Sequence, residues 1–159
     1  DGQLAQAVMS IPAIKGIEIG PAFENTKKPG TVIQDPIQKE DRSITRSQNA
    51  AGGLEGGITN GQPLFIRAAM KPIPTTRKAQ LSVDLVSGEP QRVHYERSDV
   101  CPVPRAVVVV EAMAAYILAR AMLEKLGGDT MAETLTRFDT LTRGTLDDLQ
   151  ISPEKKVWW

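Results

Sequence analysis

The chain has 159 residues, of which 41% are apolar, so it is long and apolar enough to form one domain with a core. Its 19 lysines and arginines balance 19 aspartates and glutamates, and this zero net charge excludes the basic excess of a general nucleic-acid binder. A single cysteine, Cys101, and a single histidine, His94, exclude an internal disulfide and a multi-histidine metal site in this chain, and the lone thiol fits a reducing cytoplasm.

The first elements are predicted from the spacing of apolar residues. Residues 1–4 lack the basic and apolar regions of a signal peptide and indicate the interior of a helix in a longer protein. Apolar residues recur at helical spacing over residues 4–11, which predicts a helix ending near Pro12. Residues 17–19 alternate as a half-buried strand does. Residues 21–49 are polar and predict a long surface excursion.

The middle of the chain predicts a glycine-rich loop followed by three strands. Residues 49–61 are the densest in glycine, and residues 63–70 are apolar and strand-like. Residues 79–86 and 91–97 predict two further strands, and the turn signal at residues 87–90 joins them as a hairpin.

A long helix is predicted over residues 104–126. Pro104 suits the first turn of a helix, and Gly127 suits the position after its end. The stretch at residues 106–119 is apolar apart from Glu111, and it is shorter than the ~18 residues that a membrane span needs. It therefore predicts a helix covered on most sides within a soluble protein, with no membrane as partner.

The last predicted helix begins with a capping-box pattern. Thr130 and Glu133 have the spacing of that pattern, and the helix is expected to continue through about residue 142. Residues 152–159 are polar, end in two tryptophans and predict a tail. Residues 1–151 are predicted to form one continuous part of a domain. The sequence contains no internal repeat.

Two diglycine pairs, Gly52-Gly53 and Gly56-Gly57, stand just before a predicted strand. Glycine permits positive φ and lets backbone approach a ligand, so such turns can direct N–H groups at a phosphate or a flavin ring. The context matches neither the dinucleotide-binding fingerprint nor a phosphate-binding Walker loop. A tight turn into a strand explains the pattern as well, and both interpretations stay open at this point.

Four segments carry a resemblance when they are read together in chain order. They are MSIPAIKGIEIG at residues 9–20, NAAGGLEGGITNGQP at 49–63, MKPIPT at 70–75 and RSDVCPVPRA at 97–106. They resemble the MSIxAxKGxEIG, (N/H)AGGxxGGxSxGxP, KPIPT and RxDxCxxPRA segments of chorismate synthases. Ser98 stands where many members of that family have histidine.

The resemblance implies an α+β fold in which helices are sandwiched between two mostly antiparallel sheets. Residues 1–151 would be the C-terminal part of that fold, a partial domain, and the intact protein would be a homotetramer. Its activity would be that of a carbon–oxygen lyase acting on phosphates in the shikimate pathway of aromatic amino acid biosynthesis. The reaction is the 1,4-anti elimination of phosphate from 5-enolpyruvylshikimate 3-phosphate, which gives chorismate. It requires reduced FMN, and NADPH serves only indirectly, to reduce the flavin.

An alternative follows from what the chain lacks. Chains of the family are over twice as long, and the histidines of their GxSHG and PGHAD-like motifs do not occur in this sequence. The chain alone is therefore expected to be inactive. The alternative is a non-catalytic C-terminal fragment that folds and self-associates without turning over substrate.

By resemblance, Asp99 is the catalytic residue and Arg97 binds the cofactor. Asp99 is expected near the flavin N5, where it accepts the ring proton or orients the flavin, a role suited to a carboxylate beside a cation. Arg97 lies two residues away and shares a face with Asp99 if the segment is extended. Without the resemblance, the pair would be interpreted as a surface salt bridge of little energetic value.

The other cofactor-binding residues are also assigned by resemblance. Lys71 and Thr75 would bind the flavin phosphate or its ribityl chain, although a lysine leaving a strand for solvent is the alternative. The intervening Pro72, Ile73 and Pro74 are expected to hold this segment stiffly. Backbone contacts are expected at Pro12 and Ala13. Gly56 is the first choice for a flavin contact in the glycine loop, while Gly57, Asn49 and Ala50 are expected to shape it.

Three further residues receive structural interpretations. Glu111 is predicted to be buried and paired with an arginine, such as Arg105, because an unpaired buried charge is costly. Cys101 is predicted to be a small buried residue and not a nucleophile, since no local histidine activates it. His94 matches no catalytic position of the family.

Overall fold

The computed structural model describes residues 1–40, 43–96 and 100–141. The chain divides into two compact units, each described by itself below. The first unit contains Asp1, Glu18–Arg67 and the chain from Leu118 onward, and the second contains Gly2–Ile17 and Ala68–Ile117. The predictions for residues 97–99 and for the tail at residues 152–159 lie outside the described residues.

The core of the second unit forms around helix α1 (Gly2–Met9) and the start of strand β1 (Ile14–Ile19). Val8 is fully buried and packs with Ile11 and Ile14, and four partly buried apolar side chains cover this cluster. Because apolar side chains at helical spacing face one side, α1 buries one stripe, as its spacing predicts. Strand β1 begins at Ile14, three residues before the strand predicted at residues 17–19. The covering side chains are Ile17, Met70, Val110 and Met113.

Strand β1 pairs with strand β6 (Ile66–Met70) in a two-stranded sheet. At one end of the pair, the Lys71 N–H donates to the Ala13 carbonyl over 2.7 Å, and at the other the Gly20 N–H donates to the Phe65 carbonyl over 2.8 Å. These partners show that the two strands run antiparallel. The pairing brings the segment after β6 beside the residues that precede β1, although more than fifty residues separate them along the chain.

The first unit contains short elements over much of the segment predicted as a surface excursion. The short helix α2 (Ala22–Asn25) is followed by an antiparallel hairpin in which Gln38 faces Thr45. A second, two-residue hairpin carries the glycine loop, with Leu54 facing Thr59. The bounds are α2 (Ala22–Asn25), β2 (Ile37–Glu40), β3 (Ser43–Arg46), β4 (Leu54–Glu55) and β5 (Ile58–Thr59).

The predicted hairpin of the second unit is present, with shorter strands than expected. Strands β7 (Leu81–Val83) and β8 (Pro90–Arg92) are antiparallel. The Asp84 carboxylate accepts the backbone N–H groups of Val86 at 2.7 Å and Ser87 at 2.9 Å, which closes the turn. Aspartate commonly stabilises turns in this way.

We expect the β7–β8 turn to lose stability in acid. The backbone N–H of Ser87, which has the larger effect, and that of Val86 hold the pKa of Asp84 below its ordinary value of 3.8. A carboxyl whose pKa is lower in the folded state stabilises that state above its unfolded pKa, and this contribution is lost as pH falls through the folded pKa. An NMR titration of the Val86 and Ser87 amide shifts should have a midpoint below 3.8. Asp84→Asn should abolish this titration, and a wild-type midpoint at or above the ordinary value would contradict the prediction.

Helix α3 (Val103–Leu126) confirms the long helix predicted from the sequence. Pro104 lies in its first turn, and Gly127 follows its end at φ 62° with its N–H donating to the Leu123 carbonyl over 2.7 Å. This left-handed residue provides the C-terminal stop that was expected.

The predicted burial around α3 is wrong for the described residues. Of the side chains of α3, only Ile117 and Leu126 are buried, and Val108 is 66% exposed. Glu111 is exposed as well, so its carboxylate stays hydrated and needs no buried partner. Cys101, which was predicted to be buried, is also exposed. The reason is that an apolar sequence favours burial only where neighbouring segments cover it. By length and composition alone α3 could cross a membrane, a test that core helices of soluble proteins also pass.

Helix α4 (Met131–Asp139) begins with the predicted capping box. The Thr130 hydroxyl accepts the Glu133 N–H at 3.3 Å, while the Glu133 carboxylate accepts the Asp129 N–H at 3.1 Å. The helix ends at Asp139, before the predicted end. Together, the four helices and four antiparallel strand pairs of the described residues confirm the α+β class.

Candidate functional site

A cavity of about 420 Å³ opens in the second unit, where β1 begins and β6 ends. The antiparallel pairing of these strands places the start of one beside the end of the other, so the segments meet at one edge. Five of the residues predicted to bind a cofactor line this cavity: Ala13, Lys71, Pro72, Ile73 and Pro74. The remaining lining residues are Lys15, Met70 and Pro102.

Ala13 has a strained backbone at the edge of this cavity. Its φ of 71° makes it the single non-glycine residue with positive φ among those described. This conformation costs free energy and persists where surrounding contacts enforce it, often at functional sites. The hydrogen bond from Lys71 holds the Ala13 carbonyl in place. Pro12, the neighbouring residue with a predicted backbone contact, is exposed.

Lys15 and Lys71 give the cavity two positive charges, and no carboxylate is among its lining residues in the described chain. Sequence reasoning missed Lys15. The available signal was its place beside Ala13 in the segment at residues 9–20 that resembles the family, since neighbours of a predicted ligand contact can line the same cavity. The prolines at 72 and 74 have fixed φ and limit movement of the wall. The arrangement suits an anionic ligand.

An adjoining cavity of about 450 Å³ shares Pro74 with the first. Thr75, predicted to act beside Lys71, lines this second cavity. His94 and Lys78 also line it, although neither was assigned a ligand. Thus Lys71 and Thr75 line two different cavities, which share Pro74.

The glycine loop of the first unit has two parts with different roles. A Cβ added to Gly53 would lie 2.6 Å from the Pro63 carbonyl oxygen, and one added to Gly52 would clash with the backbone of Gly20. These glycines therefore permit close backbone packing. By contrast, Gly56 and Gly57 have φ of 60° and 78°, and a Cβ there would meet no atom within 4 Å. The second pair forms the β4–β5 turn and borders open space.

A buried carboxylate anchors the start of this loop. Asp35 is 8% exposed, and its two carboxylate oxygens accept the backbone N–H groups of Ala50 and Ala51, each at 2.7 Å. Sequence reasoning missed Asp35, because its partners lie fifteen residues further on and no local pattern links them. The Asn49 side-chain amide donates to the Pro63 carbonyl over 2.8 Å, so Asn49 and Ala50 contribute to the shape of the loop.

An arginine connects this anchor to the β4–β5 hairpin. One guanidinium N–H of Arg46 donates to the Asp35 carbonyl over 2.9 Å, and another guanidinium nitrogen forms an ion pair with Glu55 at 2.7 Å. The Glu55 carboxylate also accepts the Asn60 side-chain amide at 2.9 Å. A guanidinium can make both contacts because its donors form a planar fork.

Two predicted site residues, Arg97 and Asp99, lie outside the described part of the chain. Within the described ranges, no group of three or more histidine, cysteine, aspartate or glutamate side chains is arranged to hold a metal ion.

The fold and cavity define a class of protein: an α+β chain with a lysine- and proline-lined cavity suited to an anion. Comparison with known families is more specific, since the family model described as chorismate synthase matches residues 1–123. The chain belongs to the chorismate synthase family.

The relatives show how much of a family member the chain represents. It is 54% identical over 147 residues to the chorismate synthase of Mycolicibacterium smegmatis, covering 92% of this chain and 37% of the relative. It is 48% identical over 154 residues to that of Kocuria rhizophila, covering 97% of this chain and 37% of the relative. A crystal structure of a chorismate synthase matches with a TM-score of 0.69 and 46% identity, over 87% of this chain and 34% of that one. The chain therefore spans little more than a third of these relatives, and its fold is a partial domain.

Proposed function

We propose that this chain supplies part of the active site of a chorismate synthase. The reaction is the 1,4-anti elimination of phosphate from 5-enolpyruvylshikimate 3-phosphate to give chorismate, with reduced FMN as cofactor. The observation that carries the proposal is the convergence of Ala13, Lys71 and the proline segment on one cavity. Family membership supports a lyase, and this convergence supports a role for these residues in holding its cofactor.

The cavity fits part of a flavin mononucleotide in size and charge. Small-molecule sites commonly enclose about 300–1,000 Å³, and this one is about 420 Å³. Lys71 provides an ammonium for the phosphate or ribityl end, while Ala13 leaves its backbone accessible because its side chain is small. Pro72, Ile73 and Pro74 would form the wall, with Thr75 and Pro12 as further contacts. The proposed contacts of Arg97 and Gly56 with the cofactor rest on the family resemblance alone. When bound, reduced FMN supplies electron density to the electron-poor carbon left as phosphate departs.

The proposed roles of the chain's charged groups follow from the charges that the reaction moves. Asp99 accepts the proton lost from C6 of the substrate ring or orients the cofactor. Arg97, two residues away in the sequence, would favour the ionised form of that carboxyl if the two side chains lie close together. Lys71 holds the anionic end of the cofactor so that its ring cannot drift from the reacting carbons.

The assembly is also part of the proposal. The intact protein would be a cytoplasmic homotetramer whose partner is the small-molecule substrate, with no nucleic acid or membrane. NADPH would act only by reducing the flavin.

The second candidate function is a non-catalytic fragment that folds and self-associates. The isolated chain covers only 37% of the Mycolicibacterium smegmatis relative, and this small share favours the second candidate. The exposed apolar surface of α3 favours it too, because such a surface promotes association.

We expect phosphate release to require both reduced FMN and the full-length protein that contains this chain. The assay measures inorganic phosphate released from 5-enolpyruvylshikimate 3-phosphate under anaerobic conditions, with chemically reduced FMN. Oxidised FMN and no flavin are the controls. The isolated 159-residue chain should release none above background. Rapid release by the isolated chain would refute the fragment alternative, and release by the full-length protein without reduced flavin would refute the proposed function.

A further inference from the structure

We propose that Lys15 binds a phosphomonoester group in the cavity that contains Lys71. The inference rests on the proposed function and extends it, because Lys15 belongs to the segment at residues 9–20 that resembles the family, yet no ligand was assigned to it from the sequence. The phosphate can belong to the flavin cofactor or to the substrate, and the experiment below separates these two sources.

The position of Lys15 follows from the pairing of β1 with β6. A Cβ on Gly16 would contact that of Ala69 at 3.5 Å, so the two residues face each other across the strand pair. In this register Lys15 faces Met70, and both line the cavity. Lys15 therefore stands on a paired strand, which limits the movement of its backbone.

The charged lining residues of the cavity are both positive, which favours binding of an anion. Two ammonium groups, those of Lys15 and Lys71, border one cavity, and like charges at short range repel each other. Neither lysine belongs to the ion pairs that join Glu24 with Lys27, Glu55 with Arg46 and Glu18 with Arg67. A phosphomonoester carries nearly two negative charges at neutral pH, so it can neutralise both lysines at once.

The experiment compares the binding of FMN and riboflavin by the full-length protein that contains this chain. The two flavins share the ring and ribityl chain and differ only in the phosphate. Lys15→Gln should weaken FMN binding about tenfold, as expected for the loss of one charged hydrogen bond. Riboflavin binding should change less than about twofold. Lys15→Arg should retain the FMN preference, and Lys28→Gln, at an exposed lysine of the first unit, is the matched control.

A second measurement identifies the source of the phosphate. If FMN binding is unchanged in Lys15→Gln but the KM for 5-enolpyruvylshikimate 3-phosphate rises about tenfold at unchanged kcat, Lys15 binds the substrate phosphate. Unchanged flavin affinities together with an unchanged KM would overturn the proposal. An equal loss of FMN and riboflavin binding would also overturn it, because it would indicate a structural role.

The outcomes also separate this inference from the proposed function. If the wild-type protein binds neither flavin, the proposed function fails. If the wild-type protein prefers FMN and Lys15→Gln keeps that preference and the substrate KM, only the role of Lys15 fails.

Discussion

Replacing Asp99 by alanine should lower the rate of phosphate release by the full-length protein about a hundredfold or more, because a positioned acid or base typically contributes ~10²–10⁴ in rate. Asp99 lies outside the described residues, so the expectation rests on the match of residues 97–106 to the family segment and on family membership. Phosphate release at saturating substrate and reduced FMN is the measurement.

The control variants for Asp99 separate chemistry from folding. Asp99→Asn keeps the size of the side chain but cannot accept the proton, so it should lose nearly as much turnover as the alanine variant. FMN affinity should change little in Asp99→Asn if the carboxylate accepts the proton, and it should fall if the carboxylate orients the flavin. Glu89→Gln, at an exposed acid of the β7–β8 hairpin, should keep wild-type turnover. Near-normal turnover of Asp99→Ala would remove this residue from the mechanism.

Replacing Asp35 by alanine should cost about 2–5 kcal/mol of the free energy of unfolding. The substitution removes the acceptor of two backbone N–H groups, those of Ala50 and Ala51, in a site where the carboxylate is 8% exposed. A buried donor left without a partner costs roughly 1–3 kcal/mol, and Ala50 and Ala51 are partly buried. Urea unfolding of the 159-residue chain, followed by circular dichroism, measures the change.

Two further variants test whether the loss comes from the unsatisfied donors. Asp35→Asn retains one carbonyl oxygen as an acceptor, so it should lose less stability than Asp35→Ala. Glu24→Ala breaks an exposed ion pair with Lys27 and should change the free energy of unfolding by less than about 1 kcal/mol. The prediction is wrong if Asp35→Ala and Glu24→Ala destabilise the chain equally.

The cavity depends on both the strained residue Ala13 and the strand pairing that holds it. The hydrogen bond from Lys71 to Ala13 fixes the start of β1 against the end of β6, and the prolines stiffen the segment that follows. A preformed site of this kind loses less entropy when a ligand binds, which favours affinity. The same pairing explains why residues far apart in sequence face one ligand-sized space.

Local features of this protein were predictable from the sequence because their causes are local. The α4 capping box, the Gly127 stop and the β7–β8 turn each depend on residues within a few positions of one another. A glycine takes positive φ more readily than other residues, and a threonine caps a helix, whatever the rest of the chain does. The family assignment was also predictable, since it rests on residue identities in order.

The tertiary structure decided which side chains share a site and which are buried. Lys15 became part of the cavity through strand pairing, and Asp35 became a buried anchor through contacts fifteen residues away. Thr75 went to the adjoining cavity because the chain turns at Pro74. Helix α3 shows the same distinction, because its apolar sequence specifies what it tends to bury, whereas its exposure depends on which segments cover it. Spacing along a chain determines local geometry, but burial and charge proximity are properties of neighbours that only folding brings together.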